Sequence, residues 1–81
     1  MYFLYDICMM NKKELNQRIG ERIIQLRNRR NWNQSALARA CSKDRQAIEK
    51  IENGKVNATI FTLYEIAIAL EVSLSELLEF T

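Results

Sequence analysis

The chain has 81 residues, 48% of them apolar and 27% charged. These proportions fit one small globular domain and exclude a disordered segment. No apolar run reaches the ~18 residues of a bilayer span. Proline and histidine are absent, glycine occurs only twice and cysteine only at Cys8 and Cys41. A turn-rich β fold, the usual metal-ligand sets, a Ser/His/Asp triad and a disulfide framework are therefore disfavoured, and no cofactor or catalytic site is expected.

Residues 1–11 form an apolar and aromatic arm, in which Tyr2, Phe3, Tyr5 and Ile7 favour a strand. It has no basic segment before its apolar stretch and no small-residue cleavage site after it, so it is a poor secretory signal. With two cysteines that lack evident partners, the pattern points to the cytoplasm. Residues 12–81 read as one all-α domain of five helices.

Lys12 to Arg30 predicts the first helix, with Leu15, Ile19, Ile23 and Leu26 in one apolar stripe. Gly20, beside that stripe, predicts a neighbour packed closely against it. Arg27, Arg29 and Arg30 suit the helix C-terminus, Asn31 suits a left-handed stop, and Trp32 is an expected core anchor. Asn33 predicts the N-cap of a second helix from Gln34 to about Cys41, with Leu37, Ala38 and Cys41 inward. Asp44 predicts the cap of a third, Arg45 to Glu52, with Ile48 and Ile51 inward and Asn53-Gly54 as its stop. A fourth helix runs from about Thr59 to Glu71 with Ile60, Leu63, Ile66, Ala67 and Leu70 on its core face. Ser73 and Glu76 form a capping box that opens a fifth helix through Leu77, Leu78 and Phe80.

Charge is unevenly distributed along this order. All twelve Lys and Arg lie between Lys12 and Lys55, where only five acids oppose them, leaving +7. From Val56 onward there are four glutamates and no cation, and Asp6 brings the whole to +2. A basic part beside an acidic part suggests one face for a polyanion and another for a different partner, although a solvated basic surface has the same composition.

Two short helices joined by a tight turn and preceded by a basic helix form a helix-turn-helix. From Ile19 to Leu78 the order is Ile23, Leu26-Arg27, Asn33-Gln34, Leu37-Ala38, Ile48 and Ile51-Glu52-Asn53-Gly54-Lys55. It continues with Leu63, Ile66-Ala67, Ala69-Leu70, Val72-Ser73 and Leu77-Leu78. This series resembles the phage-repressor-like, or XRE, helix-turn-helix family. The resemblance implies binding to double-stranded DNA, with the third helix in the major groove and the second across the backbone. It implies base reading by Arg45, Gln46, Ala47 and Lys50, residue types that suit guanine, adenine and the thymine methyl. It further implies phosphate contacts by Gln34, Lys43, Asn53, Lys55 and Asn57, and a structural ion pair between Arg27 and Glu52. Ser42 and Glu71 stand where the family commonly has glycine, and Lys43 where it commonly has an apolar residue.

The fourth helix carries a second apolar stripe, Phe61, Tyr64 and Ile68. Together with Tyr2, Phe3 and Tyr5 of the arm, it is an expected homodimer interface matched to a palindromic operator. A fold-back of the arm over the same stripe in a monomer is the alternative. The functional expectation is a transcriptional repressor. A protein-interaction module such as an antitoxin, which binds its partner through the fourth helix, is the competing one. No small-molecule ligand is expected.

Overall fold

In the computed structural model, residues 10–79 are described, and they fold into five helices: α1 (Lys12–Arg29), α2 (Gln34–Ala40), α3 (Arg45–Glu52), α4 (Ile60–Leu70) and α5 (Leu74–Leu77). The arm residues Tyr2, Phe3, Tyr5 and Ile7, and Phe80 at the other end, lie outside the described residues.

Every helix begins at a side-chain cap. Asn11 accepts from the Glu14 N–H at 2.8 Å, Asn33 from Ala36 at 2.8 Å, Asp44 from Ala47 at 2.7 Å and Thr59 from Thr62 at 3.1 Å. The capping box of α5 is complete: the Ser73 hydroxyl accepts from the Glu76 N–H at 3.0 Å, and the Glu76 carboxylate accepts from the Ser73 N–H at 3.3 Å. Each cap satisfies one of the orphan donors of a helix N-terminus, typically about 1 kcal/mol apiece.

The helix ends are equally explicit. Asn31, Ser42 and Glu71 adopt left-handed backbone, with φ of 60°, 57° and 60°, and Gly54 does so at 69°. At each of these stops the following N–H reaches back to a helix carbonyl: Trp32 to Arg27 at 3.1 Å, Lys43 to Ala38 at 2.8 Å, Lys55 to Lys50 at 2.9 Å and Val72 to Ala67 at 3.0 Å. Glycine is the easy residue for this geometry, so Ser42 and Glu71 hold it at a steric cost.

Ile23, Leu37, Ile48, Ile66, Leu70 and Leu77 are fully buried and join all five helices in one core, with Trp32 packed at its edge. Each such side chain contributes roughly 1.5–3 kcal/mol relative to exposure. α1 crosses α3 at Gly20. A Cβ there would lie 2.2 Å from the Glu52 carbonyl oxygen and 2.7 Å from that of Ile51, so only glycine allows this approach.

Two expectations about the core are corrected. Leu15 is 40% exposed, because it lies near the start of α1, before the buried stretch that begins at Ile19. Ile60 is 63% exposed, because it is the first residue of α4 and its inward partner positions begin one turn later at Leu63. The α4 termini also shift: Thr59 and Glu71 are its caps rather than its first and last turns.

Candidate nucleic-acid interface

The capped N-terminus of α3 and the left-handed stop at Ser42 fix how this helix emerges from the domain. Ile48, Ile51 and Glu52 are buried, so the opposite side of α3 faces outward. Arg45, Gln46 and Lys50 are exposed there, and Ala47 is half-buried beside them. The four side chains expected to read bases thus lie along the open side of one helix that is seated on α1 and α2.

Glu52 anchors this helix from below. It is 4% exposed, and its carboxylate takes a two-pronged contact from Arg27: Nε to Oε2 at 2.7 Å and Nη2 to Oε1 at 3.0 Å. Arg27 Nη1 also donates to the Trp32 carbonyl at 3.0 Å. The Glu52 contact holds the Arg27 pKa above its ordinary value. A paired buried charge of this kind is costly to break and mainly fixes geometry.

The network continues outward. Gln34 donates from Nε2 to Glu52 Oε1 at 2.9 Å and accepts at Oε1 from Arg45 Nη1 at 3.2 Å. Because a carboxylate only accepts, it determines which way the Gln34 amide faces, and the amide oxygen is left for Arg45. Gln34 is therefore a half-buried link in a chain from α1 to the exposed Arg45, not a free surface amide. Nothing in the sequence spacing reveals this link, which joins residues eleven and eighteen positions away.

Lys43 likewise has a partner within the domain. Its ammonium sits 2.8 Å from Glu65 of α4. That contact raises the Lys43 pKa and straps the turn onto α4. Cys41, buried next to this turn, donates from Sγ to the Leu37 carbonyl at 3.2 Å, and burial pushes its thiol pKa up.

Beyond α3, the Glu49 carboxylate accepts from the Asn53 side-chain amide and from Lys55 Nζ, the latter at 3.0 Å. These two donors, Lys55 first, hold the Glu49 pKa below its ordinary value. Asn57 is exposed two residues further along the same loop. Gly54 seats the loop against α1, where an added Cβ would meet Gln17 at 2.9 Å. The structure thus brings the base-reading and loop candidates together on one side, while Phe61, Tyr64 and Ile68 are 67%, 49% and 57% exposed on α4. Among the described residues no cluster of three metal-ligating side chains occurs, and no helix is long and apolar enough to cross a membrane.

Residues 23–77 match the profile of the HTH_3 family, described as helix-turn-helix. Similar solved structures include the restriction-modification controller protein C.AhdI from Aeromonas hydrophila. It is 27% identical with a TM-score of 0.74, over 76% of this chain and 94% of that one. The hypothetical transcription factor NHTF from Neisseria is 26% identical with a TM-score of 0.79, over 86% of this chain and 80% of that one. An HTH_3 family transcriptional regulator from Vibrio cholerae is 28% identical with a TM-score of 0.79, over 83% of this chain but only 38% of its own length. No curated protein sequence matches the chain.

Proposed function

Because the chain belongs to the HTH_3 helix-turn-helix family, and is thereby a non-enzymatic DNA-binding transcriptional regulator, we propose that it is a cytoplasmic, sequence-specific repressor. It acts as a homodimer on a palindromic operator, with α3 in the major groove of each half-site. The observation that carries this reading is the division of α3: Ile48, Ile51 and Glu52 are buried while Arg45, Gln46 and Lys50 are exposed. Arg45 suits a bidentate pair with guanine, Gln46 a pair with adenine, and Ala47 contact with a thymine methyl. The chain from Glu52 through Gln34 supports Arg45 before DNA arrives, which lowers the ordering cost of binding.

Phosphate contacts fall to Asn53, Lys55 and Asn57, and to the backbone N–H groups where Gln34 opens α2. Lys43, already paired with Glu65, positions the turn in this reading instead of gripping phosphate. Repression follows, in this reading, from occupancy of the operator by the helix-turn-helix. The similarity to C.AhdI, a restriction-modification controller protein matched over 94% of its length, supports a regulatory role.

The exposed Phe61, Tyr64 and Ile68, joined by Ile60, form the proposed two-fold contact. Tyr2, Phe3 and Tyr5 belong to the same proposal but lie outside the described residues. The same apolar face favours the second reading, an antitoxin-like module that docks a protein partner there. Co-purification of an untagged partner that blocks DNA binding would favour it.

Duplex binding measured across a salt series tests the main reading. Affinity is expected to fall as salt rises, with a log–log slope of about −0.9 for each phosphate that a Lys or Arg neutralises, Lys55 among them. Gln46→Ala is expected to relax preference at one base pair. A slope near zero, or identical base preferences after Gln46→Ala, overturns it. A persistent particle of 9.5 kDa at all micromolar concentrations in sedimentation overturns the dimer.

A further inference from the structure

Glu49 is the one acid on the outward side of α3, and its position is unusual for a surface that meets a polyanion. It lies one turn after Arg45 and beside Lys50, yet its carboxylate is committed to Asn53 and to Lys55 Nζ at 3.0 Å. Those are two of the three loop side chains assigned to phosphate. The free protein therefore already supplies an anionic oxygen to the groups that a DNA phosphate needs.

Resting on the DNA-binding reading, we infer that Glu49 is a specificity-determining residue that exchanges partners. In the free protein it occupies Lys55 and Asn53. In a cognate groove it turns to a base that offers a hydrogen-bond donor, and Lys55 is released to the backbone. Two bases present an amino donor on the major-groove edge, and cytosine is the better match for a carboxylate, because adenine sets the N7 acceptor beside its amino group. Where the facing base offers only acceptors, the carboxylate gains nothing by leaving Lys55. The loop then stays capped, and the phosphate contact is not made. One acid thus couples base identity to backbone grip. It penalises wrong sequences instead of only rewarding the right one.

Purified Glu49→Gln, Glu49→Gln/Lys55→Ala, and Asp44→Asn proteins test the exchange on noncognate and selected duplexes. Asp44→Asn removes a charge of the same sign at the start of α3 while leaving a competent N-cap. Glu49 is half-buried, and circular dichroism verifies that each variant is folded. Glu49→Gln is expected to steepen the noncognate salt slope by about 0.9 per protomer. That corresponds to about 3.5-fold more affinity lost between 50 and 200 mM salt. The gain disappears in the double variant. In selections from random duplexes, the wild-type protein shows about fivefold or greater preference for cytosine at one position of each half-site, and Glu49→Gln loses it. The inference is overturned if Asp44→Asn matches the gain, if the gain survives without Lys55, or if the base preferences of Glu49→Gln equal those of wild type. Absence of any duplex binding by the wild-type chain overturns the DNA-binding reading itself, and this inference with it.

Discussion

Replacing Gly20 by alanine separates two physical arguments that predict opposite signs. On helix propensity alone, alanine in the middle of α1 stabilises by about 1 kcal/mol. The structure opposes this, because the new methyl would lie 2.2 Å from the Glu52 oxygen, 2.6 Å from its carbonyl carbon and 2.7 Å from the Ile51 oxygen. Ordinary contact begins at 3.4 Å, so α1 and α3 must part by about 1 Å. All three obstacles are backbone, and no side-chain rotation relieves them. Overpacking of this kind costs typically ~1–3 kcal/mol, and a backbone clash belongs at the upper end. Subtracting the propensity gain leaves about 2 kcal/mol of net destabilisation, a fall in Tm of roughly 8–16 °C for a domain of this size. Thermal unfolding followed by far-UV circular dichroism measures it. A Tm equal to or above that of the wild-type chain would refute the claim that this crossing sets where α3 sits.

Other outcomes follow from the same contacts. Arg27→Met leaves the buried Glu52 carboxylate with Gln34 alone and is expected to cost ~3–5 kcal/mol in urea unfolding, where an exposed ion pair would cost under ~1 kcal/mol. Ser42→Gly and Glu71→Gly relieve left-handed strain, and each is expected to stabilise by about 0.5–1 kcal/mol. For Glu71 this holds although its exposed partner Arg30, 3.0 Å away, is lost. If both glycine variants melt below the wild-type chain, the strain argument is wrong. The buried Cys41 thiol has a raised pKa, so its contribution to stability is complete below the unfolded-state value and is lost as pH rises through the folded-state one. Alkylation at this position, read by peptide mass spectrometry, should be slow at neutral pH and accelerate in urea. Glu49, with a lowered pKa, acts in the opposite sense. Its contacts with Lys55 and Asn53 persist above the ordinary carboxylate range and are lost as acidification passes the folded-state value, a change visible in the side-chain chemical shifts of Asn53.

Much of this architecture is legible in one sequence because its signals are local. Asn33, Asp44 and the Ser73/Glu76 pair mark helix starts through groups three residues away, and Asn31 and Gly54 mark stops through their own backbone preferences. The close approach at Gly20 is legible for a similar reason: a costly residue in a helix needs a neighbour to justify it. Leu15 and Ile60 mislead because periodicity reports which side of a helix is apolar, not which turn has something beside it. The contacts of Lys43 and Gln34 are hidden from the sequence for another reason. Their partners, Glu65 and Glu52, lie on other helices, and only the tertiary arrangement brings such charges together. The Arg27–Glu52 pair has the same long-range character, and the family resemblance, not spacing, is what implied it. Glu49 leaves only a faint local trace, its spacing of four from Asn53.

The four residues from Cys41 to Asp44 leave almost no slack between α2 and α3. Cys41, Ser42 and Lys43 each return a backbone N–H to α2, and the Asp44 side chain is spent on α3. With the entry to α3 pinned in this way, a residue inserted in its first turn would rotate the rest of the helix by about 100°, swinging Ile48 toward water and Lys50 toward the interior. New recognition preferences therefore have to arise by exchanging the outward side chains at fixed length. The scaffold can be rewritten letter by letter, but it does not tolerate a frame change.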